Sequence, residues 1–182
     1  MAQHDVVMAG FGGQGLMAIG KLLAKAAMCE GRHVTWLPSY GPEMRGGTAN
    51  CVVVVDDAPI GSPFVQHAQA ALVMNRPSFD KFAPLLAPGG TIVVNGSLVD
   101  DLPVRSDVRV VRIAANDLAA RAGSAKAANM AMLGAYLAHC PVVRHDTVRD
   151  HIAAAFAGKN SAVGEANVRA FEAGLAAATR AT

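Results

Sequence analysis

The chain has 182 residues, of which 52% are hydrophobic and 16% charged, and its net charge is +2. This length suits one domain, residues 1–182, with a core large enough to fold without a disulfide or a metal. The lysines and arginines are scattered and form no basic run, which argues against a nucleic-acid partner and a membrane surface. Much of the apolar excess is alanine, which indicates packed helices and at least one surface that a partner covers.

The cysteines indicate thiols rather than a metal site. Cys29, Cys51 and Cys140 are far apart and form no C-x-x-C pair, which argues against an iron–sulfur or zinc site on this chain. The N-terminus has no basic segment followed by an apolar one, so we expect no signal peptide and a cytoplasmic location. The longest weakly polar run, 127–143, is interrupted by Asn129 and predicts a buried helix rather than a membrane span.

The first predicted element is an apolar strand over residues 5–9, which runs directly into G-F-G-G-Q-G. This matches G-x-G-x-x-G, in which Gly10 makes the tight turn, Gly12 opens the approach and Gly15 allows close helix–strand packing. A helix over about 14–28 follows, and its N-terminus would attract an anion. The candidate cofactor-binding residues are Gly10, Gly12, Gly13, Gln14 and Gly15.

A dinucleotide-binding protein of this type also needs an acidic residue at the end of its second strand, where it binds the ribose. The second predicted strand, 33–37, is followed by Pro38 and Ser39, while Glu30 precedes it and Glu43 lies well beyond it. Nicotinamide binding therefore loses most of its support. A free-standing nucleotide-binding protein remains the alternative interpretation.

Residues 38–50, P-S-Y-G-P-E-M-R-G-G-T-A-N, connect this strand to another apolar run at 51–55. Two prolines and three glycines leave no room for a helix, and long connections without secondary structure are usually functional. We interpret the segment either as an Ω-loop packed on its own domain or as an interface or coenzyme-access loop. Its candidate residues are Ser39, Tyr40, Glu43, Met44, Arg45, Gly46, Gly47, Thr48 and Asn50.

The remaining elements predict an α/β fold. Residues 56–59 form a predicted turn, after which Ile60 begins a short returning strand of an antiparallel hairpin. Further strands are predicted at 70–74, 91–95 and 108–113, with a turn at 88–90, and helices are predicted from 75 and at 116–122, 126–139, 147–157 and 164–179. Strands that alternate with helices indicate a Rossmann-like, doubly wound, mainly parallel sheet, here with one antiparallel hairpin.

We predict neither a catalytic residue nor a metal site on this chain. It has no G-x-S-x-G elbow, no Walker A lysine and no H-E-x-x-H motif. The adjacent acids at 56–57 and 100–101 lie on turns, where neighbouring side chains point apart. The residues therefore predict a domain that binds and positions without catalytic machinery of its own.

Five segments stand out in combination. They are G-F-G-G-Q-G at 10–15, the segment 38–50, I-G-S-P at 60–63, M-N-R-P-S at 74–78 and A-N-M-A-M-L-G at 128–134. Together they resemble the gamma subunit of the 2-oxoacid:ferredoxin (acceptor) oxidoreductases, and the resemblance covers nearly the whole chain. It is strongest to the 2-oxoglutarate enzymes, with the pyruvate, branched-chain 2-oxoacid and indolepyruvate enzymes close behind.

The resemblance implies a complex that converts 2-oxoglutarate to succinyl-coenzyme A on thiamine diphosphate and passes electrons through [4Fe-4S] clusters to ferredoxin. It implies alpha and beta subunits that hold the thiamine and its Mg²⁺, and a ferredoxin-like delta subunit as a further partner. No cofactor is expected on this chain alone, and the isolated chain is expected to be inactive. The turn at 10–15 and the loop at 38–50 would form one docking surface. This surface either docks only, or also contacts the phosphates of coenzyme A through the helix terminus at Gln14 and through Arg45.

Overall fold

The computed structural model describes residues 3–41, 47–100, 103, 105–156 and 161–179. Within these residues, six strands form one sheet in the order β2-β3-β1-β4-β5-β6. The strands are β1 (His4–Phe11), β2 (His33–Tyr40), β3 (Thr48–Asp56), β4 (Ala68–Val73), β5 (Leu86–Asn95) and β6 (Arg109–Ile113). The helices are α1 (Leu16–Cys29), α2 (Arg76–Phe82), α3 (Ala115–Arg121), α4 (Ala128–His139), α5 (His145–Phe156) and α6 (Ser161–Thr179).

One strand of the sheet runs against the others. β3 lies between β1 and β2 and pairs antiparallel with both, whereas β4, β5 and β6 continue the sheet from β1 in parallel. The unit β1–α1–β2 is therefore a parallel crossover into which β3 is inserted. The predicted α/β, Rossmann-like class, with a mainly parallel sheet and an antiparallel hairpin, is confirmed.

The hairpin is not where the sequence predicted it. Residues 57–67 contain no strand, so the returning strand predicted from Ile60 is wrong. The hairpin consists of β2 and β3, because both strands extend into the segment 38–50, which was expected to lack secondary structure. Pro38 is accommodated in β2 because this strand lies at the sheet edge, where a missing N–H breaks no ladder hydrogen bond.

β5 also begins earlier than predicted. It starts at Leu86 rather than near residue 91, and the turn predicted at 88–90 lies inside its irregular first half. The register between β4 and β5 shifts there, between Ala68 and Ala70, so the glycines bend a strand rather than separate two elements. The other predicted elements agree with the structure to within a few residues.

The two faces of the sheet are covered unequally. Residues of α1, α3, α4, α5 and α6 join the core on one face, while α2 packs on the other. The larger layer is centred on α4, in which ten of twelve residues are buried, as predicted for the run 127–143. No helix in the described part of the chain combines the length and the hydropathy needed to cross a bilayer.

Two glycines let α4 and α6 approach until their backbones touch. A Cβ atom on Gly134 would meet the carbonyl oxygen of Phe171, and one on Gly174 would meet the carbonyl oxygen of Ala131. Backbone cannot move aside as a flexible side chain can. A side chain at either glycine would therefore push the two helices apart.

Gly174→Ala should lower the free energy of unfolding by about 2–3 kcal/mol, because the added methyl has no space against α4. Gly61→Ala is the matched control, since a Cβ atom there meets nothing within 4 Å. The control should change stability by no more than about 0.5 kcal/mol. Chemical denaturation followed by circular dichroism measures both variants, and equal stabilities would contradict the backbone contact.

A buried polar cluster lies at the amino end of β1. The ring centre of His4 is 6.1 Å from that of Tyr136, and the Asp5 carboxylate accepts a hydrogen bond from the Gln69 N–H at 2.8 Å. Burial lowers the pKa of His4, and the neighbouring Asp5 offsets part of this effect. Burial likewise raises the pKa of Asp5. The cluster therefore disfavours charge on both side chains.

Stability should fall as the pH drops below 6.5, the ordinary pKa of histidine. In this range the His4 side chain is protonated more readily in the unfolded chain than in the folded one. The free energy of unfolding therefore falls by at most about 1.4 kcal/mol per pH unit. His4→Gln should flatten this dependence as the pH falls through 6.5, whereas Asp5, whose pKa burial raises, acts in the opposite direction. The exposed His33→Gln serves as the control. Identical slopes in the two variants would contradict the assignment to His4.

Candidate functional site

The glycine-rich segment 10–15 lies at the carboxyl end of β1, where the strand order reverses. From β1 the chain crosses through α1 to β2 on one side, while β4 lies directly against β1 on the other. The β1–β4 ladder ends at Ala9 and Val73, after which the Met74 N–H donates to the Ala9 carbonyl at 2.9 Å. Open α/β sheets bind their ligands at such a switch point.

Local hydrogen bonds give the turn its shape. The Gln14 Oε1 atom accepts from the Phe11 N–H at 2.7 Å, and the Gln14 N–H donates to the Phe11 carbonyl at 3.2 Å. Gly13 and Gly15 have φ angles of 94° and 76°, in the left-handed region that glycine favours. Gly10 lies inside β1 and not in the turn, contrary to its predicted role, and a Cβ atom there would meet the Gln14 side chain.

Asn129 of α4 holds the end of this turn. Its Nδ2 atom donates to the Gly15 carbonyl at 3.1 Å, and its Oδ1 atom accepts from the Met130 N–H at 3.0 Å. A Cβ atom on Gly15 would meet this amide, so Gly15 makes its close approach to α4. The sequence had predicted a close approach to a strand instead. Asn129 was not predicted as a site residue. The signal in the sequence that could have indicated this role is the position of Asn129, a polar residue, inside the apolar run 127–143.

α1 begins without a side-chain cap. Gly15 occupies the N-cap position, and no side chain among the described residues caps the helix. The Ala18 and Ile19 N–H groups both donate to the Gly15 carbonyl, at 3.1 and 3.2 Å. Helix N–H groups ahead of these are available to an acceptor from a ligand, and the helix dipole favours a negative one.

Backbone hydrogen bonds join the turn to the hairpin base, which here means the residues of β2 and β3 next to their connecting loop. The Gly12 N–H donates to the Gly47 carbonyl at 2.9 Å, which links the turn to the segment that precedes β3. The Gly41 N–H donates to the Thr48 carbonyl at 2.9 Å, which continues the β2–β3 ladder beyond Tyr40. The structure thus brings the glycine turn and the base of the predicted loop to one edge of the sheet.

The other predicted loop residues fall into two groups. Ser39 lies opposite Asn50 in the hairpin, and Tyr40 lies opposite Ala49. The Tyr40 side chain is 65% exposed. Outside the described residues lie Glu43, Met44, Arg45 and Gly46.

The turn and the hairpin base line a cleft of about 750 Å³. Its walls are glycine backbone, apolar side chains and one tyrosine, contributed by Phe11, Gly12, Gly13, Gly15, Leu16, Met17, Ala18, Tyr40, Gly41 and Ala49. Phe11 is 37% exposed, so together with Tyr40 it offers two aromatic rings to a binding partner. None of the described lining residues has a charged side chain, so these residues make contact through backbone N–H groups and apolar surface.

Two lysines of the described chain border the cleft. Lys21 and Lys25 of α1 border a smaller cavity of about 190 Å³, which shares Ala18 with the cleft. The Lys21 Nζ atom is 5.8 Å from the centre of the Trp36 ring, a distance that permits a cation–π contact. An anionic group that extends from the cleft along α1 would therefore meet these lysines.

The described residues supply no reactive group at this site. The Cys51 thiol lies 3.6 Å from the Leu16 carbonyl, and burial raises its pKa to about 11. A thiol with this pKa is protonated at neutral pH and is a poor nucleophile. In the part of the chain that the structure describes, no three His, Cys, Asp or Glu residues are grouped to hold a metal ion.

Similar proteins match the chain over nearly its whole length. A family model described as pyruvate ferredoxin/flavodoxin oxidoreductase matches residues 5–177. Ketoisovalerate oxidoreductase subunit VorA of Methanothermobacter marburgensis is 39% identical over 170 residues, which are 93% of this chain and 35% of that subunit. The 2-oxoglutarate synthase subunit KorC of the same organism is 34% identical over 182 residues, with 94% of this chain and 95% of that subunit covered.

A solved structure extends this similarity to three dimensions. The crystal structure of a keto/oxoacid ferredoxin oxidoreductase gamma subunit from Geobacter sulfurreducens matches with a TM-score of 0.83 at 28% identity. The match covers 98% of this chain and 99% of that one. The chain therefore spans about a third of the VorA subunit but nearly the whole of the KorC and gamma subunits.

Gly15→Ala should destabilise the protein more than Gly13→Ala, although both glycines have positive φ. Each alanine carries a left-handed strain of about 1–2 kcal/mol. Only the methyl at position 15 also meets the Asn129 amide, because nothing lies within 4 Å at position 13. Urea denaturation measures the difference, and Asn129→Ala should recover part of it in the Gly15→Ala background. The contact is contradicted if Gly15→Ala is as stable as Gly13→Ala.

Proposed function

Because this chain belongs to the pyruvate ferredoxin/flavodoxin oxidoreductase family, we propose that it is the gamma-type subunit of a 2-oxoacid:ferredoxin oxidoreductase. The resemblance drawn from the five sequence segments is confirmed at the level of the family. In the proposed complex, a 2-oxoacid is oxidised on thiamine diphosphate, electrons pass through iron–sulfur clusters to ferredoxin, and coenzyme A takes the acyl group. The partners are alpha and beta subunits and a ferredoxin-like delta subunit. Three free cysteines support a cytoplasmic location.

One observation supports a non-catalytic role most directly. Among the residues that the structure describes, none that lines the cleft at the switch point carries a carboxylate, imidazole, thiol or amine. The described residues also offer no grouped ligands for a cluster or for Mg²⁺, which suits a subunit whose partners hold the thiamine diphosphate. Apart from the Tyr40 phenol, the described lining residues carry no group that could act as acid, base or nucleophile, so they favour contact with a partner or a coenzyme.

The first proposed role of the cleft is docking against the alpha and beta subunits. Tyr40 and Phe11 are 65% and 37% exposed, and aromatic side chains are enriched in protein interfaces. The Gly12–Gly47 hydrogen bond fixes the turn against the hairpin, so the rings are presented from joined elements. The loop residues that complete this surface in the proposal are Ser39, Glu43, Met44, Arg45, Gly46, Thr48 and Asn50.

A second role of the same surface is contact with coenzyme A. The uncapped start of α1 and the lysines beside the cleft favour this role, because the coenzyme carries phosphates. The cofactor-binding residues would then be Gly10, Gly12, Gly13, Gln14 and Gly15. Arg45 would add charge to the phosphates from the loop.

The proposed substrate is 2-oxoglutarate, with ketoisovalerate as the second candidate. The KorC subunit, named for 2-oxoglutarate, is matched over 95% of its length, which favours the first. The VorA subunit, named for ketoisovalerate, has the higher identity of 39%, which favours the second. In this proposal other subunits build most of the substrate pocket.

The alternative is a free-standing nucleotide-binding protein. It would need an acidic ribose ligand at the end of β2, but this strand ends in Leu37-Pro38-Ser39-Tyr40. Such a protein should bind NAD or ATP without partners. Calorimetric titration of the isolated chain with each nucleotide tests this alternative.

The proposed function predicts that activity requires partners. The chain should copurify with larger subunits when it is coexpressed with the genes that flank its own. The complex should reduce a viologen dye with a 2-oxoacid and coenzyme A, and a comparison of 2-oxoglutarate with ketoisovalerate identifies the substrate. The isolated chain should be inactive. Oxidation of a 2-oxoacid by the isolated chain, or purification without any partner, would overturn the proposal.

Tyr40→Ala and Arg45→Ala separate docking from coenzyme contact. Docking alone predicts weaker assembly, measured by size-exclusion chromatography of the complex. A coenzyme role predicts an intact complex whose KM for coenzyme A rises roughly tenfold, as for one lost contact of about 1.4 kcal/mol, with little change for the 2-oxoacid. Phe64→Ala is the control, since this aromatic ring is 79% exposed and lies between β3 and β4 at the other end of the sheet. Unchanged assembly and kinetics in both test variants would refute a role for this surface.

A further inference from the structure

The two outer strands of the described sheet differ in character. β6 is five residues long and carries Arg109 and Arg112. β2 is eight residues long, contains no Lys, Arg, Asp or Glu, and has no fully buried residue. Short length and charged side chains prevent an edge strand from pairing with another chain. β6 is therefore protected against such pairing, whereas in β2 only Pro38 offers protection of this kind.

The register of the hairpin determines which backbone groups β2 offers. The Gly41 N–H donates to the Thr48 carbonyl, which makes these two residues a hydrogen-bonded pair. Pairs alternate along an antiparallel ladder, so Leu37 and Thr35 also bond to β3. The N–H and C=O groups of the intervening residues point away from the sheet. These residues are Val34, Trp36, Pro38 and Tyr40.

Pro38 limits the part of this edge that can accept another strand. It has no N–H, so an added strand would lose a hydrogen bond wherever it met this residue. Val34 and Trp36 keep both groups, and they lie next to each other on the outward side of β2. The usable edge is therefore the segment 33–37.

We propose that β2 pairs antiparallel with β2 of a second copy of this chain, around a twofold axis at Thr35. In this register Val34 lies opposite Trp36 of the second copy, and Trp36 lies opposite its Val34. The two pairs exchange four N–H···O=C hydrogen bonds. Pro38 lies outside the shared ladder.

The neighbouring registers are less favourable. An axis at Trp36 would place Pro38 opposite Val34 and remove a donor from each of two pairs. An axis at Val34 would require the Arg32 N–H, which already donates to the Ala27 carbonyl at 3.0 Å. The axis at Thr35 alone uses both outward N–H groups without either conflict.

The side chains in this register are self-complementary, which favours a second copy over a different chain. Thr35 meets Thr35 at the axis, and its hydroxyl is buried in the single chain without a hydrogen-bond partner among the described residues. Threonine pairs and pairs of an aromatic with a β-branched residue, here Trp36 with Val34, stabilise antiparallel strands. Leu37, which is 36% exposed, is covered by His33 of the second copy. No like charges meet.

Disulfide trapping tests the register. The background is Cys29→Ser, because Cys29 is exposed while the other two cysteines are buried. Thr35→Cys should cross-link into a dimer under mild oxidation, since Cα atoms of a non-hydrogen-bonded pair are about 4.5 Å apart, within the reach of a disulfide. Ser39→Cys, on the same strand and face, has no strand opposite it and should run as a monomer on a non-reducing gel.

Sedimentation equilibrium of the full chain tests the surface itself. The unmodified chain should dimerise, and Thr35→Lys should raise the dimer Kd at least about tenfold by placing two like charges face to face. Ala176→Lys, at an exposed position of α6, should leave the Kd unchanged. A chain that is monomeric at all concentrations, or a dimer insensitive to Thr35→Lys, would overturn the proposal. Cross-linking at position 39 but not 35 would do the same, and this trapping result is decisive if Thr35→Lys fails to fold.

Discussion

The backbone contact between α4 and α6 is the interaction on which the rest of the structure depends. Gly134 and Gly174 have no side chains, so α4 lies between α6 and the sheet and is buried on nearly all sides. A helix displaced outward would carry Asn129 away from the Gly15 carbonyl, which it now reaches at 3.1 Å from 114 positions along the chain. The packing of two helices thus determines the geometry of the glycine-rich turn.

The cleft is built from two walls with separate supports. One wall is the turn, which Asn129 holds from α4, and the other is the hairpin base, which the Gly12–Gly47 hydrogen bond joins to the turn. In the part of the chain that the structure describes, neither wall carries a charged side chain, and Lys21 and Lys25 lie outside the cleft on α1. In the proposed complex, this division gives the gamma-type subunit a shaped surface while the charged and reactive groups come from its partners.

The sequence predicted elements best where a local pattern is sufficient. β4 is a continuous apolar segment and α1 a periodic one. The predicted ends of both elements lie within two residues of the observed ends. The hairpin was misplaced because the Asp56 carboxylate accepts from the Ala58 N–H at 3.2 Å, which completes a turn without a returning strand. The roles of Gly10 and Asn129 were missed because each depends on a contact with another segment, which no local pattern contains.

The insertion of β3 between β1 and β2 has a consequence for chain synthesis. Of the six described strands, the first two to emerge do not pair with each other, so each has an open edge until β3 arrives. β3 then completes two ladders at once, placing Val55 opposite both His4 and Val34. A nascent chain that stops before β3 has no strand pair from this sheet. β1, β2 and β3 therefore form their two ladders in one cooperative step. This step can occur only after loop closure has brought the three strands together.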